Sequence, residues 1–195
     1  MKKLFVILAA VLISVSASAQ LRVQAAASFG GYNKVETLDP EIGFTAKVLY
    51  DFQLSSKAER SYYLSAGVGY LMNNVSVPET NGKFTTHWLQ VPVSLTTYRT
   101  LGRGDVYGSV GLYYAYAVSG QVSASGVSLD VIHNDISAVN IIKPHDFGYN
   151  VQLGYTFACN LGIYMGYTGG ILNIAAQSDS DARTSLAELG VYYRF

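Results

Sequence analysis

Four residues near one long segment have side chains that could do chemistry together. His133, Asp135, His145 and Asp146 supply two imidazoles and two carboxylates. With a nearby serine they could form a hydrolytic relay, the imidazole taking the hydroxyl proton and a carboxylate orienting the ring. The same groups are also metal ligands. No G-x-S-x-G turn accompanies them, and His-x-Asp alone is a weak metal signature. Solvated loop residues explain the four far better, so no catalytic residue, metal or cofactor is expected. Arg103-Gly104-Asp105 is an RGD tripeptide, an adhesion signal if displayed to a host, but Gly and Asp also simply make a bend. Asn74-Val75-Ser76 fits a glycosylation acceptor, a pattern short enough to occur by chance. Cys159 is the single cysteine, so no disulfide can form within the chain. At a tight turn it reads as a packing residue and not a nucleophile.

A second ionisable set consists of Arg22, Lys47, Asp51, Asp105, Glu188 and Arg194. The elements that would carry them are strands. Period-2 alternation separated by turn-forming residues marks eight segments: 21–32, 41–52, 61–72, 85–98, 105–118, 145–158, 161–173 and 185–195. One face of each is apolar and free of Asp, Glu, Lys and Arg, as with Phe147, Tyr149, Val151, Leu153, Tyr155 and Phe157. Pro92 cannot donate to a ladder, so the fourth segment needs a bulge or an edge-like site there. The connections 53–60, 99–104 and 159–160 are short; 33–40, 73–84, 119–144 and 174–184 are longer.

Alternation alone does not say which medium the apolar face meets. Only 13% of the 195 residues are charged and half are hydrophobic, with 16 Tyr and 19 Gly. Soluble domains carry about 25% charged residues. The opposite faces are rich in Gly and small polar residues, a poor soluble surface but a workable crowded interior. The apolar face therefore suits lipid. Segments of this length exceed the roughly 9–11 residues needed to cross a bilayer on a tilt. Aromatics gather at both predicted ends, with Phe52, Tyr62, Tyr98, Phe157, Tyr193 and Phe195 at the short-turn rim. Phe29, Phe44, Tyr70, Tyr116, Phe147 and Tyr149 fall toward the other. Such belts are expected at membrane interfaces. The start, MKKLFVILAAVLISVSASAQ, has a basic n-region, an apolar h-region and an Ala17-Ser18-Ala19 cleavage pattern. Residues 1–19 are expected to be a cleaved signal peptide and 20–195 the barrel domain. Losing Lys2 and Lys3 leaves 11 basic against 13 acidic residues. That balance excludes a nucleic-acid footprint.

The stretches HWLQVPVSLTTYR (87–99), DFGYNVQLGYTF (146–157), LGIYMGYTGGILNI (161–174) and LGVYYRF (189–195) resemble the porin-like small outer-membrane β-barrel family, related in architecture to the OmpA/OmpX type. The resemblance implies that the final strand is read by the outer-membrane assembly machinery through Tyr193 and Phe195. It also accommodates Pro92 in the fourth strand.

The expected fold is all-β: an eight-stranded antiparallel up-and-down transmembrane β-barrel in a Gram-negative outer membrane, closed between its first and last strands. Tyr63, Trp88, Tyr107, Tyr113, Tyr164 and Tyr192 then point inward and fill the lumen. Inward charges must pair. Lys47 is expected with Glu188 near mid-height, and Arg22 or Arg194 with Asp51 or Asp105 nearer the periplasm. The expected partners are outer-membrane lipids, the barrel-assembly machinery and an extracellular partner of segment 119–144. That segment either continues the strands as a ribbon or folds over the barrel mouth. The functional expectation is a structural or loop-mediated binding and adhesion role. A lipid-modifying enzyme and a narrow porin-like channel are the alternatives.

Overall fold

The computed structural model describes residues 19–33, 39–57, 60–77, 82–124, 127–130, 132, 142–176 and 181–195. Nine strands are present: β1 (Ala19–Asn33), β2 (Asp39–Lys57), β3 (Arg60–Val77), β4 (Gly82–Leu101), β5 (Gly104–Ala124), β6 (Val127–Asp130), β7 (His145–Thr156), β8 (Leu161–Gly170) and β9 (Arg183–Arg194). Eight of them form a closed antiparallel ring in the order β1-β2-β3-β4-β5-β7-β8-β9. β1 pairs with β9 from Arg22↔Arg194 to Asn33↔Arg183, which closes it. A closed ring leaves no unpaired sheet edge facing lipid. β6 stands outside the ring and, among the described residues, pairs only with the far end of β5, from Gln121↔Asp130 to Ala124↔Val127.

Side-chain burial follows the alternation. Along β4 inward and outward residues exchange at every step from Trp88 to Tyr98. The outward set of β4, β5 and β7 includes Leu89, Val91, Val93, Leu95, Val110, Leu112, Tyr114, Val151 and Leu153, all exposed. Tyr63, Trp88, Tyr107, Tyr113, Tyr164 and Tyr192 are buried inside. Several rings occupy space that a glycine vacates: a Cβ on Gly148 would fall on Tyr113, on Gly154 on Tyr107, and on Gly162 on Tyr192. Inward tyrosines and inward glycines are thus one packing device.

Four details differ from the sequence-based expectation. Tyr98 is not part of the rim belt. It shares the inward parity of Trp88 and is buried against Tyr63 and Tyr107. Pro92 needs neither a bulge nor an edge; the β3–β4 ladder runs to Ala66↔Val93 and resumes at Gly69↔Gln90, skipping the pairs where its missing N–H would fall. The 73–84 connection is mostly strand, since β3 runs to Val77 and β4 starts at Gly82. Cys159 is exposed at the β7–β8 turn, where the neighbouring Asn160 takes a left-handed φ of 63°. So sharp a turn projects the thiol outward and leaves it nothing to pack on.

Candidate functional site: the filled lumen and its outer closure

The strands bring the six charged residues together in three pairs. Deepest is Arg22 with Asp51, Nη2 to Oδ1 at 3.0 Å, both essentially inaccessible. Ser65 donates to the same Oδ1 at 2.6 Å, and Tyr98 donates to Oδ2 at 3.1 Å. At mid-height Lys47 Nζ lies 2.9 Å from both oxygens of Glu188, and Thr168 donates to that carboxylate at 3.3 Å. Nearest the short turns Arg194 reaches Asp105 at 3.4 Å and stacks 4.6 Å from the Tyr98 ring centroid. Charges in a low-dielectric interior persist only when paired and hydrogen-bonded. Each carboxylate here has at least one hydroxyl or cation on it.

The end of the lumen on the short-turn side is closed by wall residues. Tyr63, Tyr98, Tyr107, Tyr164 and Tyr192 form one cluster. Tyr107 meets Tyr192 edge-on at 5.1 Å, and Arg22 lies 5.4 Å from the Tyr107 centroid. Above this floor, Gln90, Ser94, Ser109, Asn150, Gln152 and Thr168 surround a void of about 10 Å³. That is room for about one water molecule.

The other end is closed differently. Ile132, Ile142, Ile174, Ala175 and Ala182, from the two long connections, are buried against Tyr32, Val75, Phe84, Trp88 and Leu186. A bridge Ile142↔Ala175 joins the connections. Asn173 Oδ1 accepts from the N–H groups of Ala175 and Ala182, both at 3.0 Å. Segment 119–144 therefore does both things open to it. β5 extends to Ala124 and hairpins onto β6, and Ile132 and Ile142 return over the mouth. These lid residues are absent from the sequence-based site, because they lie where no periodicity reveals a buried face.

The residues first singled out for chemistry are not assembled. His133 and Asp135 lie outside the described residues. His145 is exposed on the outer surface, its Nδ1 2.6 Å from Tyr114 Oη. Asp146, the next residue, is buried inside, its Oδ2 accepting from Tyr113 and Thr184, both at 2.7 Å. Strand alternation thus puts the barrel wall between them. No group of three or more His, Cys, Asp or Glu residues suited to a metal occurs among the described residues. The RGD tripeptide lies at the β4–β5 hairpin, where Gly102 takes a φ of 68° and Asp105 is held by Thr100 and Arg194. Glycine at the first central position is what such a two-residue turn requires. Asn74 is buried, donates to the Ile42 carbonyl and accepts from Thr85, so its amide is already engaged. At the chain end Phe195 N–H donates to the Leu21 carbonyl at 2.8 Å, and the Tyr193 and Phe195 rings meet edge-on at 4.7 Å.

An eight-stranded closed ring, apolar outside and filled with paired charges and tyrosines inside, defines the class of small membrane-spanning β-barrels. Residues 11–176 match the family model "outer membrane protein beta-barrel domain", and the chain belongs to that family. No curated protein matches the sequence. Several solved structures are similar to this chain. The outer-membrane enzyme PagL is 11% identical with a TM-score of 0.54, the match covering 88% of this chain and 98% of that one. The attachment invasion locus protein Ail of Yersinia pestis is 17% identical with a TM-score of 0.44, covering 91% and 97%. Neisserial surface protein A is 14% identical with a TM-score of 0.47, also covering 91% and 97%. The protein is an outer-membrane β-barrel.

Proposed function

We propose that this barrel acts by binding through its outer loops, and that it neither conducts a solute nor catalyses a reaction. The observation that carries the reading is the filled lumen: tyrosines, three ion pairs and an aliphatic lid, with a void of about 10 Å³ between them. What such a barrel presents to the outside is its long-loop end. There the β5–β6 hairpin offers a recognition edge, since β6 ends the strand order and no strand covers its far side among the described residues. An extended segment of a partner could add to that edge by main-chain pairing. Deleting 121–142 is expected to abolish adhesion and ligand binding by cells that display the protein. The milder pair Ser128→Pro and Asp130→Pro, which removes N–H donors on the strand edge facing away from β5, should weaken both while leaving the barrel intact. Unchanged adhesion and binding in the deletion would refute the reading. A steady, selective conductance in planar bilayers would replace it with the channel.

The same reading assigns the ends of the chain to export. Residues 1–19 direct secretion and are cleaved, which N-terminal sequencing of the mature protein should show by a start at Gln20. Tyr193 and Phe195 are the signal for the assembly machinery. Removing Phe195 should lower the amount inserted in cells while refolding into lipid vesicles proceeds; equal insertion in cells would remove the assignment.

A further inference from the structure

Two tyrosine–histidine pairs repeat on the outer surface. Tyr70 on β3 bonds His87 on β4, Oη to Nδ1 at 2.5 Å, with the rings stacked at 5.9 Å. Tyr114 on β5 bonds His145 on β7 at 2.6 Å, and Tyr116 lies 5.3 Å from the same imidazole. In both pairs the tyrosine occupies Nδ1, and among the described residues no hydrogen bond engages Nε2. Lys143, two residues from His145, is exposed, and among the described residues its Nζ makes a long 3.4 Å contact to the Asn173 carbonyl. No carboxylate pairs with His87, Lys143 or His145 among the described residues. Lys83, four residues further out on β4, is by contrast already paired with Glu41 at 2.8 Å.

The depth of this patch identifies its occupant. Outward residues of β5 run from Val106 to Tyr116, ten steps of roughly 3.4 Å that span about 26 Å at a tilt near 40°. That matches the apolar band of about 25 Å in outer-membrane barrels. His145 is registered opposite Tyr116 and His87 opposite Ser119, so both stand at the upper border of the band. They face away from the barrel at the level of lipid headgroups, a place a soluble partner does not reach. We propose that the outward face of β4, β5 and β7 at the outer rim binds a phosphate-bearing lipid headgroup through His87, Lys143 and His145, above the rings of Tyr70, Tyr114 and Tyr116. The two imidazoles belong to strands two spacings apart and are offset by three residues along β5, roughly 14 Å in all, so the patch suits a headgroup carrying two separated phosphates. Lysine attracts anionic headgroups, an imidazole N–H donates to phosphate oxygens, and the aromatic rings anchor at the same depth.

The test uses the full mature barrel in nanodiscs of an uncharged glycolipid. Diphosphoryl lipid A, dephosphorylated lipid A or inorganic phosphate is added, with bound lipid quantified and the imidazole resonances followed by NMR. The diphosphoryl lipid should be retained about tenfold over the dephosphorylated one, and its addition should shift the His87 and His145 resonances. A His87→Gln, Lys143→Gln, His145→Gln variant should lose the preference while keeping the heat-resistant electrophoretic mobility of the folded barrel. Lys83→Gln, outside the patch, should keep it. Equal retention of the two lipids, or an unchanged preference in the triple variant, overturns the proposal. So does inorganic phosphate shifting the resonances as far as the lipid does, because the site would then read phosphate without lipid.

Discussion

The two ends of the lumen are closed by different materials. At the short-turn end the closure belongs to the wall: Tyr63, Tyr98, Tyr107, Tyr164 and Tyr192 project from β3, β4, β5, β8 and β9, tied to Arg22 and Asp51. At the long-loop end Ile132, Ile142, Ile174, Ala175 and Ala182 come from connections and rest on the wall without being part of it. A floor hydrogen-bonded to the strands can be lost only with the barrel. A lid held by aliphatic contact, one bridge and an asparagine can open while the ring stays closed, because stability in proteins is distributed in separable units. The polar end is thus the rigid one and the apolar end the movable one, an inversion of the usual expectation for a hydrophobic core. The reason is where the groups are rooted: the floor's side chains stand on strands of the ring, while the lid's come from connections.

That contrast breaks most readily at Asp51. Removing it leaves Arg22 buried without a partner, and breaking a buried pair by one member costs about 3–5 kcal/mol. Asp51→Ala should destabilise the barrel by that amount in reversible denaturant unfolding from vesicles. Replacing both partners, Arg22→Met with Asp51→Leu, should recover most of the loss. If the single change is silent, the polar floor is not what holds this end. A smaller effect is expected from the tyrosine–glycine packing. The three atoms nearest to a Cβ on Gly162 all belong to the Tyr192 side chain, and overpacking of this kind costs about 1–3 kcal/mol. Gly162→Ala should therefore be destabilising in the native background and nearly neutral in a Tyr192→Ala background. An equal cost in both would assign the effect to strand propensity and not to the ring.

How much of this is legible in the sequence follows from parity. A period of two assigns each strand residue to one face, which is enough to place Trp88, Tyr107 and Tyr164 inside and Leu89, Leu112 and Leu153 outside. Tyr98 goes astray only when its aromaticity and its place near a strand end outweigh its parity. Parity does not give height. On alternation alone Arg22 and Arg194 are interchangeable partners for Asp51 and Asp105, and the ring's register is what pairs Arg22 with Asp51 and Arg194 with Asp105. The lid is less legible still. Ile132, Ile142 and Ile174 sit in segments without periodicity, and their burial depends on one connection meeting another through Ile142↔Ala175. The tyrosine–histidine pairs are hidden for a related reason. His87 and Tyr70 are 17 positions apart, and His145 and Tyr114 are 31, so each pair exists only through strand register.

The smallest expected effect on global stability, and the sharpest on the contrast, comes from the lid. Asn173 accepts from Ala175 and Ala182 and so ties the β8–β9 connection into the arrangement that carries Ile174 over the mouth. Asn173→Ala leaves those two N–H groups without that acceptor, while every strand of the ring keeps its ladder. Such a loss is worth about 1–3 kcal/mol where the donors stay buried, but it is relieved if the connection lifts and the amides meet water. Denaturant unfolding of the barrel should therefore change by under about 1 kcal/mol, the range of a local opening. Amide exchange across Ile174–Ala176 and Asp181–Ala182 should accelerate severalfold, and exchange along β1 and β9 should not. Ile142, bridged to Ala175, should loosen with them. If exchange in β9 rises in parallel, the two closures unfold as one unit, and the distinction between a floor built into the wall and a lid resting on it does not hold.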